Sequence, residues 1–550
     1  MLRRLDTREA PTLEHPEDIM HACRPLAVLV AVAVLLLGAV PVAAQEAGEE
    51  QPNVTGAVQV TDNPHPARAH SSPQMAVNPQ TGELAIVETE VRSDYSCRVH
   101  VSSDGGRTWR DGGALHEQPH TDCSRDPLNG PYATVAFAND GVLYVAYMAS
   151  DPEQAGTDTL PVGIFLARSE DGGETFETHA VSAPDEEAPD KARPMLAVDP
   201  NDADTVHVSW MAQPGEGKSL AQVATTTNGG ETFSEPTDLS LDKGGYQPRL
   251  AVSPDSTVHA VFPASSFHEE KSFDEVVRPL MYARSTDAGQ SWSEATAIDP
   301  GNTGFYAMRK AVIAADSNDG TVYTVWYGNE KTTIDPKEED VDIFMRRSTD
   351  GGDTWSDRVT INDDADEGYT NHYDPGIAIA PNGRVDVAWY DFRNSPYTER
   401  FPDGFEPPFN HDGFQDVYYS YSTDNGQTWS RDVRITDRII NREIGVWSNN
   451  IHSHMSVGIA ATNAAASFAW QDTRNGNYRN EAEDVYAASA IHDPGARRAA
   501  AAEGSTSTLL WVLLGAAGGL GLAGVVLLVG MRVASRDPAP AGAPAPARGG

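Results

Sequence analysis

The sequence is poor in basic residues and in cysteine. Lys and Arg together number 40 among 550 residues, against 80 Asp and Glu, and the formal net charge is −40. Nucleic-acid binding needs clustered Lys and Arg against the phosphates, so this balance excludes that class of function. With 39% hydrophobic residues the chain is too apolar to be disordered, and its length exceeds that of one small domain.

The first long apolar run lies near the N-terminus, at Leu26–Val40. Arg24 precedes the run, and the small residues Val42-Ala43-Ala44 follow it. A basic residue, an apolar run and a small-residue cleavage site are typical of a secretory signal peptide, which we predict over residues 1–44. An uncleaved N-terminal anchor is the alternative, and the sequence leaves open whether Met20 is the true start.

The second apolar run, Leu509–Met531, is long enough to form a helix of about 35 Å, which spans a bilayer. Arg532 and Arg536 follow it directly, so the positive-inside rule places the C-terminus in the cytoplasm and the long middle segment outside. The sequence therefore predicts a single-pass membrane protein with an extracytoplasmic domain. Its predicted C-terminal parts are a spacer (494–507), a transmembrane helix (508–533) and a disordered cytoplasmic tail (534–550).

Of the three cysteines, Cys23 lies in the predicted signal region. Neither Cys97 nor Cys123 has a second ligand motif nearby, which disfavours a metal pair or a catalytic thiol. An even number of cysteines in an oxidising compartment predicts a Cys97–Cys123 disulfide, which would close a loop of about 26 residues.

One short motif, of the form Ser/Thr-x-Asp-x-Gly-x-Thr/Ser-Trp/Phe, recurs six times at a mean spacing of about 64 residues. Each copy follows a β-type run and is typical of a turn, in which the acidic side chain bonds local amides and Gly takes a positive φ. A long fixed period predicts a repeat architecture. The Asp or Asn of the six copies is Asp104, Asp171, Asn228, Asp287, Asp350 and Asp424.

This motif is the Asp box, and the chain resembles the Asp-box (BNR-repeat) β-propellers, best known from sialidases. The resemblance implies that the boxes are structural turns far from any active site. For a sialidase it also implies an arginine cluster that holds a carboxylate, a Tyr nucleophile with a Glu base, and an Asp acid/base.

A second repeat, a pair of β-type runs such as residues 194–198 and 206–210, occurs seven times, once more than the box. The segment 56–62 resembles the outer-strand segments 357–363 and 431–437. We therefore predict an all-β fold, a seven-bladed β-propeller over 52–493, in which an N-terminal strand closes the last blade. Sialidases are six-bladed, so the blade number departs from theirs.

The candidate catalytic residues lie at or near the starts of the inner strands, on the face opposite the boxes. By the resemblance, Arg193, Arg249 and Arg309 are the candidate arginine triad, Tyr246 the nucleophile and Asp122 the acid. The Phe-Arg-Ile-Pro signature of the family is absent, and no Glu is clearly paired with Tyr246. Both points count against true sialidase activity.

A second group of residues on the same face suits ligand binding. It comprises His372, Asp374, His452, His454, Asp391, Arg393, Asp472 and Arg474. The motif Trp-x-Asp-x-Arg-Asn contains four of them and occurs twice in equivalent positions, which favours a structural corner over a site. We predict no cofactor, because scattered histidines at a channel mouth are more often solvated or hydrogen-bonded than ligands. The acidic run 363–367 leaves Ca²⁺ as an alternative, although it lacks EF-hand spacing.

These patterns predict a membrane-anchored, sialidase-like propeller that engages glycans outside the cytoplasm, with exo-α-sialidase or other glycoside hydrolysis as its enzymatic form. A non-catalytic adhesion or protein-interaction propeller is the alternative. The expected partner is a glycan or a surface protein, and the chain is expected to be a monomer.

Overall fold

The structure is a computed structural model that describes residues 51–92, 96–115, 133–150, 162–184, 190–213, 219–241, 244–264, 278–302, 310–329, 341–364, 370–396, 413–445 and 457–493. Every regular element within these residues is a β-strand. The strands form seven antiparallel sheets, each of four or five strands.

The seven sheets are the blades of the predicted propeller. Apart from β1 and β2, which pair in blade 7, the strands follow one another blade by blade along the chain. The strands are β1 (Asn53–Val54), β2 (Val58–Gln59); in blade 1 β3 (His70–Val77), β4 (Leu84–Glu90), β5 (Ser96–Ser102), β6 (Arg110–Asp111); in blade 2 β7 (Ala133–Phe137), β8 (Leu143–Ser150), β9 (Val162–Ser169), β10 (Glu177–Ser182); in blade 3 β11 (Asp190–Asp199), β12 (Asp202–Gln213), β13 (Leu220–Thr226), β14 (Thr237–Asp238); in blade 4 β15 (Arg249–Val252), β16 (Val258–Pro263), β17 (Arg278–Ser285), β18 (Thr296–Asn302); in blade 5 β19 (Ala311–Ala315), β20 (Val322–Gly328), β21 (Asp342–Ser348), β22 (Val359–Thr360); in blade 6 β23 (His372–Ile379), β24 (Val385–Asp391), β25 (Phe414–Ser422), β26 (Val433–Arg434), β27 (Ile440–Asn441); and in blade 7 β28 (Gly458–Ala461), β29 (Ala465–Asp472), β30 (Asp484–Ile491).

The first strand of each blade lies on the inside of a closed ring. Each inner strand packs against the next, from β3 through β7, β11, β15, β19, β23 and β28, and β28 returns to β3. The blades stack on apolar side chains from their second strands. The indole rings of Trp210, Trp326, Trp389 and Trp470 are fully buried there, at the end of the second strand in blades 3, 5, 6 and 7.

The N-terminal strands complete the last blade, as the sequence predicted. Both β1 and β2 pair antiparallel with β30, through the partners Val54–Ala490 and Val58–Ala487. The guanidinium Nε of Arg68 donates to Asp484 at 2.6 Å, which holds the same seam. Ring closure thus joins the two ends of the described chain in one sheet.

All six Asp boxes connect the third and fourth strands of blades 1–6, also as predicted. In the fifth box the hydroxyl groups of Ser348 and Thr354 donate to the Asp350 carboxylate at 2.8 and 2.5 Å, and the Thr354 amide donates to it at 2.9 Å. Gly351 and Gly352 take φ angles of 69° and 94°, which favour glycine.

Several predictions about the chain ends lie outside the described residues. These are the signal peptide, the spacer, the apolar run Leu509–Met531 and the tail. Within the residues that the structure describes, no helix has the length and apolarity needed to cross a bilayer. Cys97 lies in β5, whereas Cys123 is outside the described part, so their disulfide stays a prediction.

Candidate functional site

The starts of the inner strands meet at the end of the ring opposite the Asp boxes, which we call the loop face. A cavity of about 150 Å³ opens there between strands of blades 1, 3, 4, 5, 6 and 7. Its polar lining includes Arg249, Lys310 and Asp374, and Met195 and Val312 contribute to its apolar wall. The ring therefore gathers residues that are far apart in sequence into one pocket.

The same unusual backbone conformation recurs at four polar residues of the loop face. The four residues Ser72, Arg193, Gln247 and Asp374 each precede a proline and have φ angles between 48° and 60°. A residue before proline normally adopts extended backbone, so a positive φ here is strained. In β3, β11 and β23 the strained residue sits in a β-bulge, where the strand register shifts. Such bulges re-aim side chains, and they often occur next to functional sites.

Asp374 is the only acidic residue among the cavity-lining residues that the structure describes. Its carboxylate is buried and lies 2.7 Å from the ammonium group of Lys310. Burial raises the pKa of Asp374, while Lys310 and, more weakly, Arg193 and Arg249 oppose that rise. We call Arg193, Arg249, Lys310 and Asp374 the central cluster; it holds three cationic side chains against one acid.

Of the predicted catalytic residues, Arg193 contacts Tyr246, and both Arg193 and Arg249 interact electrostatically with Asp374. The guanidinium carbon of Arg193 sits 4.7 Å from the centre of the Tyr246 ring, a cation–π contact. One Arg249 nitrogen lies 2.7 Å from the sulfur of Met195. No glutamate among the described residues hydrogen-bonds to the Tyr246 hydroxyl. The predicted Asp122, Arg309, His452 and His454 fall outside the described residues, so their roles stay predictions.

Sequence reasoning missed a second set of polar residues, between blades 6 and 7, that we call the interblade group. It consists of Tyr390, Arg442, Gln471 and Glu483, all fully buried or nearly so. One Arg442 nitrogen lies 3.9 Å from the Glu483 carboxylate, and the backbone N–H of Gln471 donates to the Tyr390 hydroxyl at 3.4 Å. Burial lowers the pKa of Arg442, against the attraction of Glu483, Tyr390 and Asp374.

The interblade group interacts with Asp374 of the central cluster, and two of its side chains have polar atoms without a hydrogen-bond partner within the described residues. Asp374 interacts electrostatically with both Tyr390 and Arg442. Within the described part of the chain, neither the Arg442 guanidinium nor the Gln471 carboxamide makes a side-chain hydrogen bond. Arg442 escaped the sequence analysis because it follows β27, a two-residue strand outside the four-strand repeat.

The repeated Trp-x-Asp-x-Arg-Asn motifs form two matching corners in blades 6 and 7. In blade 6 the indole N–H of Trp389 donates to Asp391 at 2.9 Å, and Arg393 donates to the same carboxylate at 2.8 Å. In blade 7 Trp470, Asp472 and Arg474 repeat these bonds at 3.0 and 2.7 Å. Each arginine also covers a tyrosine ring, Tyr418 or Tyr486. This repetition fits the structural interpretation of Asp391, Arg393, Asp472 and Arg474.

His372 belongs to the blade 6 corner rather than to the cavity. Its Nε2 atom lies 3.0 Å from Asp364 and 3.3 Å from Asp391. Burial alone would lower the pKa of His372, but the two carboxylates outweigh it and raise that pKa well above the usual range. The ligand atoms of these three residues lie within 4.8 Å of one another, a spacing that a metal ion could bridge. Arg393 already donates to both carboxylates and supplies positive charge there.

Comparison with known proteins finds a family model of the repeat and several similar solved structures. The family model described as BNR/Asp-box repeat matches residues 420–431, and no curated protein matches the chain significantly in sequence. The chain is similar to the structure of the phage phi92 endosialidase, at 13% identity and a TM-score of 0.42 over 80% of this chain and 70% of that one. It is similar to a Hadza microbial sialidase, at 12% identity and a TM-score of 0.40, over 80% of this chain and 94% of that one. It is also similar to an α-L-arabinofuranosidase from Fusarium graminearum, at 14% identity and a TM-score of 0.41, over 67% of this chain and 98% of that one. The chain is therefore a seven-bladed β-propeller with Asp-box turns in blades 1–6, and the BNR/Asp-box model matches the last of these turns.

Proposed function

We propose that the propeller binds a glycan that carries a carboxylate, such as a sialylated glycan, at the central cluster. The observation that carries the proposal is the arrangement of Arg193, Arg249 and Lys310 around the single carboxylate of Asp374. Among the described residues, three buried cationic side chains lie near one acidic side chain there. A carboxylate is a ligand that guanidinium and ammonium groups recognise.

The cationic side chains of this pocket contrast with the negative net charge of the chain as a whole. The chain has a net charge of −40, so its surface as a whole repels anions. Guanidinium groups recognise planar carboxylates through paired hydrogen bonds, and burial of Arg193 and Arg249 strengthens such bonds because water is excluded. The cavity therefore offers an acidic sugar a site that the surrounding surface does not.

Hydrolysis in the manner of an exo-α-sialidase is the second candidate function. It is favoured by the contact of Arg193 with the Tyr246 ring, which places a cationic side chain beside the candidate nucleophile. The alternative is a non-catalytic propeller that uses the same face for adhesion or for docking a protein partner.

The test measures binding of 3′-sialyllactose and of lactose to the full chain by calorimetry. We expect 3′-sialyllactose to bind and lactose not to bind. We expect Arg249→Ala to weaken the affinity for 3′-sialyllactose by about 10- to 100-fold, because one charge-assisted hydrogen-bonding group is lost. Arg431→Ala is the matched control, since Arg431 is exposed and far along the chain from the cavity residues. Equal affinity for both sugars, or no effect of Arg249→Ala, would contradict the proposal.

A fluorogenic sialoside separates the two candidate functions in the same preparations. Turnover that falls with Arg249→Ala supports the hydrolase. Binding of sialyllactose without turnover supports a carbohydrate-binding propeller. A glycan array without any hit would instead point to a protein partner.

We also propose that the propeller is exported and held at the cell membrane by the helix predicted over 508–533. The support is the apolar run followed by Arg532 and Arg536. Protease added to intact cells should then remove the 52–493 segment and leave a short C-terminal fragment in the membrane. Full protection of the chain in intact cells would show that the propeller does not face outward.

A further inference from the structure

The cavity at the central cluster is lined mainly by apolar residues. Apart from Gln74, Arg249, Lys310 and Asp374, its described lining consists of apolar residues and one glycine. They come from several blades and include Met195, Leu250, Val312, Ile377, Val457 and Ile459. A hydroxyl group placed against this wall would lose its hydrogen bonds to water without gaining new ones. The wall therefore favours an alkyl group over the hydroxyl groups of a sugar ring.

The apolar wall begins directly beside the cationic side chains. The sulfur of Met195 lies 2.7 Å from an Arg249 nitrogen. Lys310 directly precedes β19, and Val312 is the second residue of that strand. Side chains alternate along a strand, so these two lie on the same side of β19, and both line the cavity. A carboxylate bound by Arg249 and Lys310 thus has apolar surface next to it.

The volume of the cavity limits how much of a ligand can enter it. At about 150 Å³ the cavity matches an engineered protein cavity that holds one benzene molecule. A monosaccharide with its ring substituents is larger than benzene, whereas a short acidic substituent such as a lactyl group is of that size. The cavity can therefore take the acidic substituent of a sugar while the sugar ring stays outside, at the loop face.

From these observations we infer that the cavity takes a carboxylate attached to a short alkyl group, as in the lactyl ether or the pyruvyl ketal of an acidic sugar. The inference rests on the proposed function, which places the carboxylate at the central cluster, and it names the class of acidic sugar that the site prefers. The carboxylate contacts Arg249 and Lys310, and the methyl group lies against Met195 and Val312. Burial of one methyl group corresponds to a gain of about fourfold in affinity.

Two ligands that differ by this methyl group test the inference. N-acetylmuramic acid is N-acetylglucosamine with a 3-O-lactyl group, and 3-O-carboxymethyl-N-acetylglucosamine carries the carboxylate without the methyl group. Calorimetry on the full chain should show about fourfold tighter binding of N-acetylmuramic acid. N-acetylglucosamine, which lacks the carboxylate, should not bind, and 3′-sialyllactose serves as the reference for the proposed function.

Two matched substitutions locate the effect. Val312→Thr replaces one methyl group of the wall by a hydroxyl group of similar size and keeps a β-branched residue in the strand. We expect it to reduce the preference for N-acetylmuramic acid to less than about twofold, and to leave the affinity for the carboxymethyl sugar nearly unchanged. Val359→Thr is the control, because Val359 is a partly buried valine in β22 of the same blade and is not a cavity-lining residue. It should keep the preference of about fourfold.

Equal affinity for the two 3-O-substituted acids in the unmodified chain would overturn the inference. So would a preference that persists in Val312→Thr or falls equally in Val359→Thr. Binding of 3′-sialyllactose without binding of either 3-O-substituted acid would overturn this inference alone, because a glycan that carries a carboxylate would still bind. If none of the three acidic sugars binds, the proposed function fails and this inference fails with it.

Discussion

Asp350 illustrates how one exposed carboxylate organises a turn. Two hydroxyl groups and a backbone amide of its own box donate to it. These bonds, first of all the one from the Thr354 hydroxyl, lower the pKa of Asp350 to about 2. The third box uses Asn228 instead, which accepts the corresponding amide bond at 3.0 Å and donates to Thr232 at 2.9 Å. The same turn thus occurs with and without a titrating group.

This difference predicts an acid-sensitive contribution to stability. The folded pKa of Asp350 lies below its ordinary value of 3.8, so the ionised carboxylate stabilises the fold above about pH 4. That contribution is lost as the pH falls from about 4 to about 2. We expect Asp350→Asn to lower the thermal midpoint at pH 7 by about 1–3 °C, and the gap to the unmodified chain to close at pH 2.

Thermal unfolding at pH 7, 4 and 2 measures this effect. Asn228→Asp is the reciprocal control, because it adds a titrating carboxylate to the one box that lacks it. It should raise the midpoint at pH 7 and steepen its fall in acid. A gap of constant size at every pH would mean that the charge of Asp350 does not contribute.

At the scale of the element, the boxes and strand pairs were predictable from the sequence because their causes are local. A turn needs Asp and Gly at fixed offsets, and a buried strand needs a run of apolar residues. The same locality identified Arg193, Arg249, Tyr246 and Asp374, because each lies at or near the start of an inner strand. The proline that follows Arg193 and Asp374 is visible in the sequence, but their positive φ angles are not.

The interblade group could not be predicted in this way. Arg442 follows β27, a two-residue strand that is not part of the four-strand repeat. Gln471 stands out only after strand register aligns it with Met211 and Tyr390. Glu483 of the interblade group lies in the connection before β30, more than forty residues along the chain from Arg442. Such sites depend on which blades become neighbours, and that information is not local.

At the scale of the whole molecule, closure depends on two short strands at the N-terminus. Only four residues, in β1 and β2, pair with β30 to finish blade 7. In the other blades every strand is joined to its neighbour by a short connection or a loop. The seam is therefore the joint whose formation costs the most chain entropy.

A disulfide across the seam should stabilise the ring. Val54 and Ala490 are directly opposed, and such antiparallel partners have Cα atoms about 4.5–5.5 Å apart, within disulfide range. We expect Val54→Cys combined with Ala490→Cys to raise the thermal midpoint of the oxidised protein above that of the reduced protein by several degrees. The loop it closes is hundreds of residues long, which favours a large entropic effect.

The control pair joins Gln222 and Asp238, which are opposed within blade 3. Replacing both by Cys closes only a short loop, so its oxidation should stabilise the chain less. The measurement is thermal unfolding with and without a reductant. Equal stabilisation by both disulfides would show that the seam is no weaker than the interior of a blade.

The position of β30 also decides how the propeller would bear a mechanical load. This strand is the last one of the described chain, and it has β29 on one side and the N-terminal strands on the other. Hydrogen bonds between antiparallel strands run across the strand direction. A pull along β30 would therefore strain both rows of bonds in shear, all at once, instead of opening them one after another. The strand that closes the ring is in this way also the strand that secures it against traction from the C-terminal side.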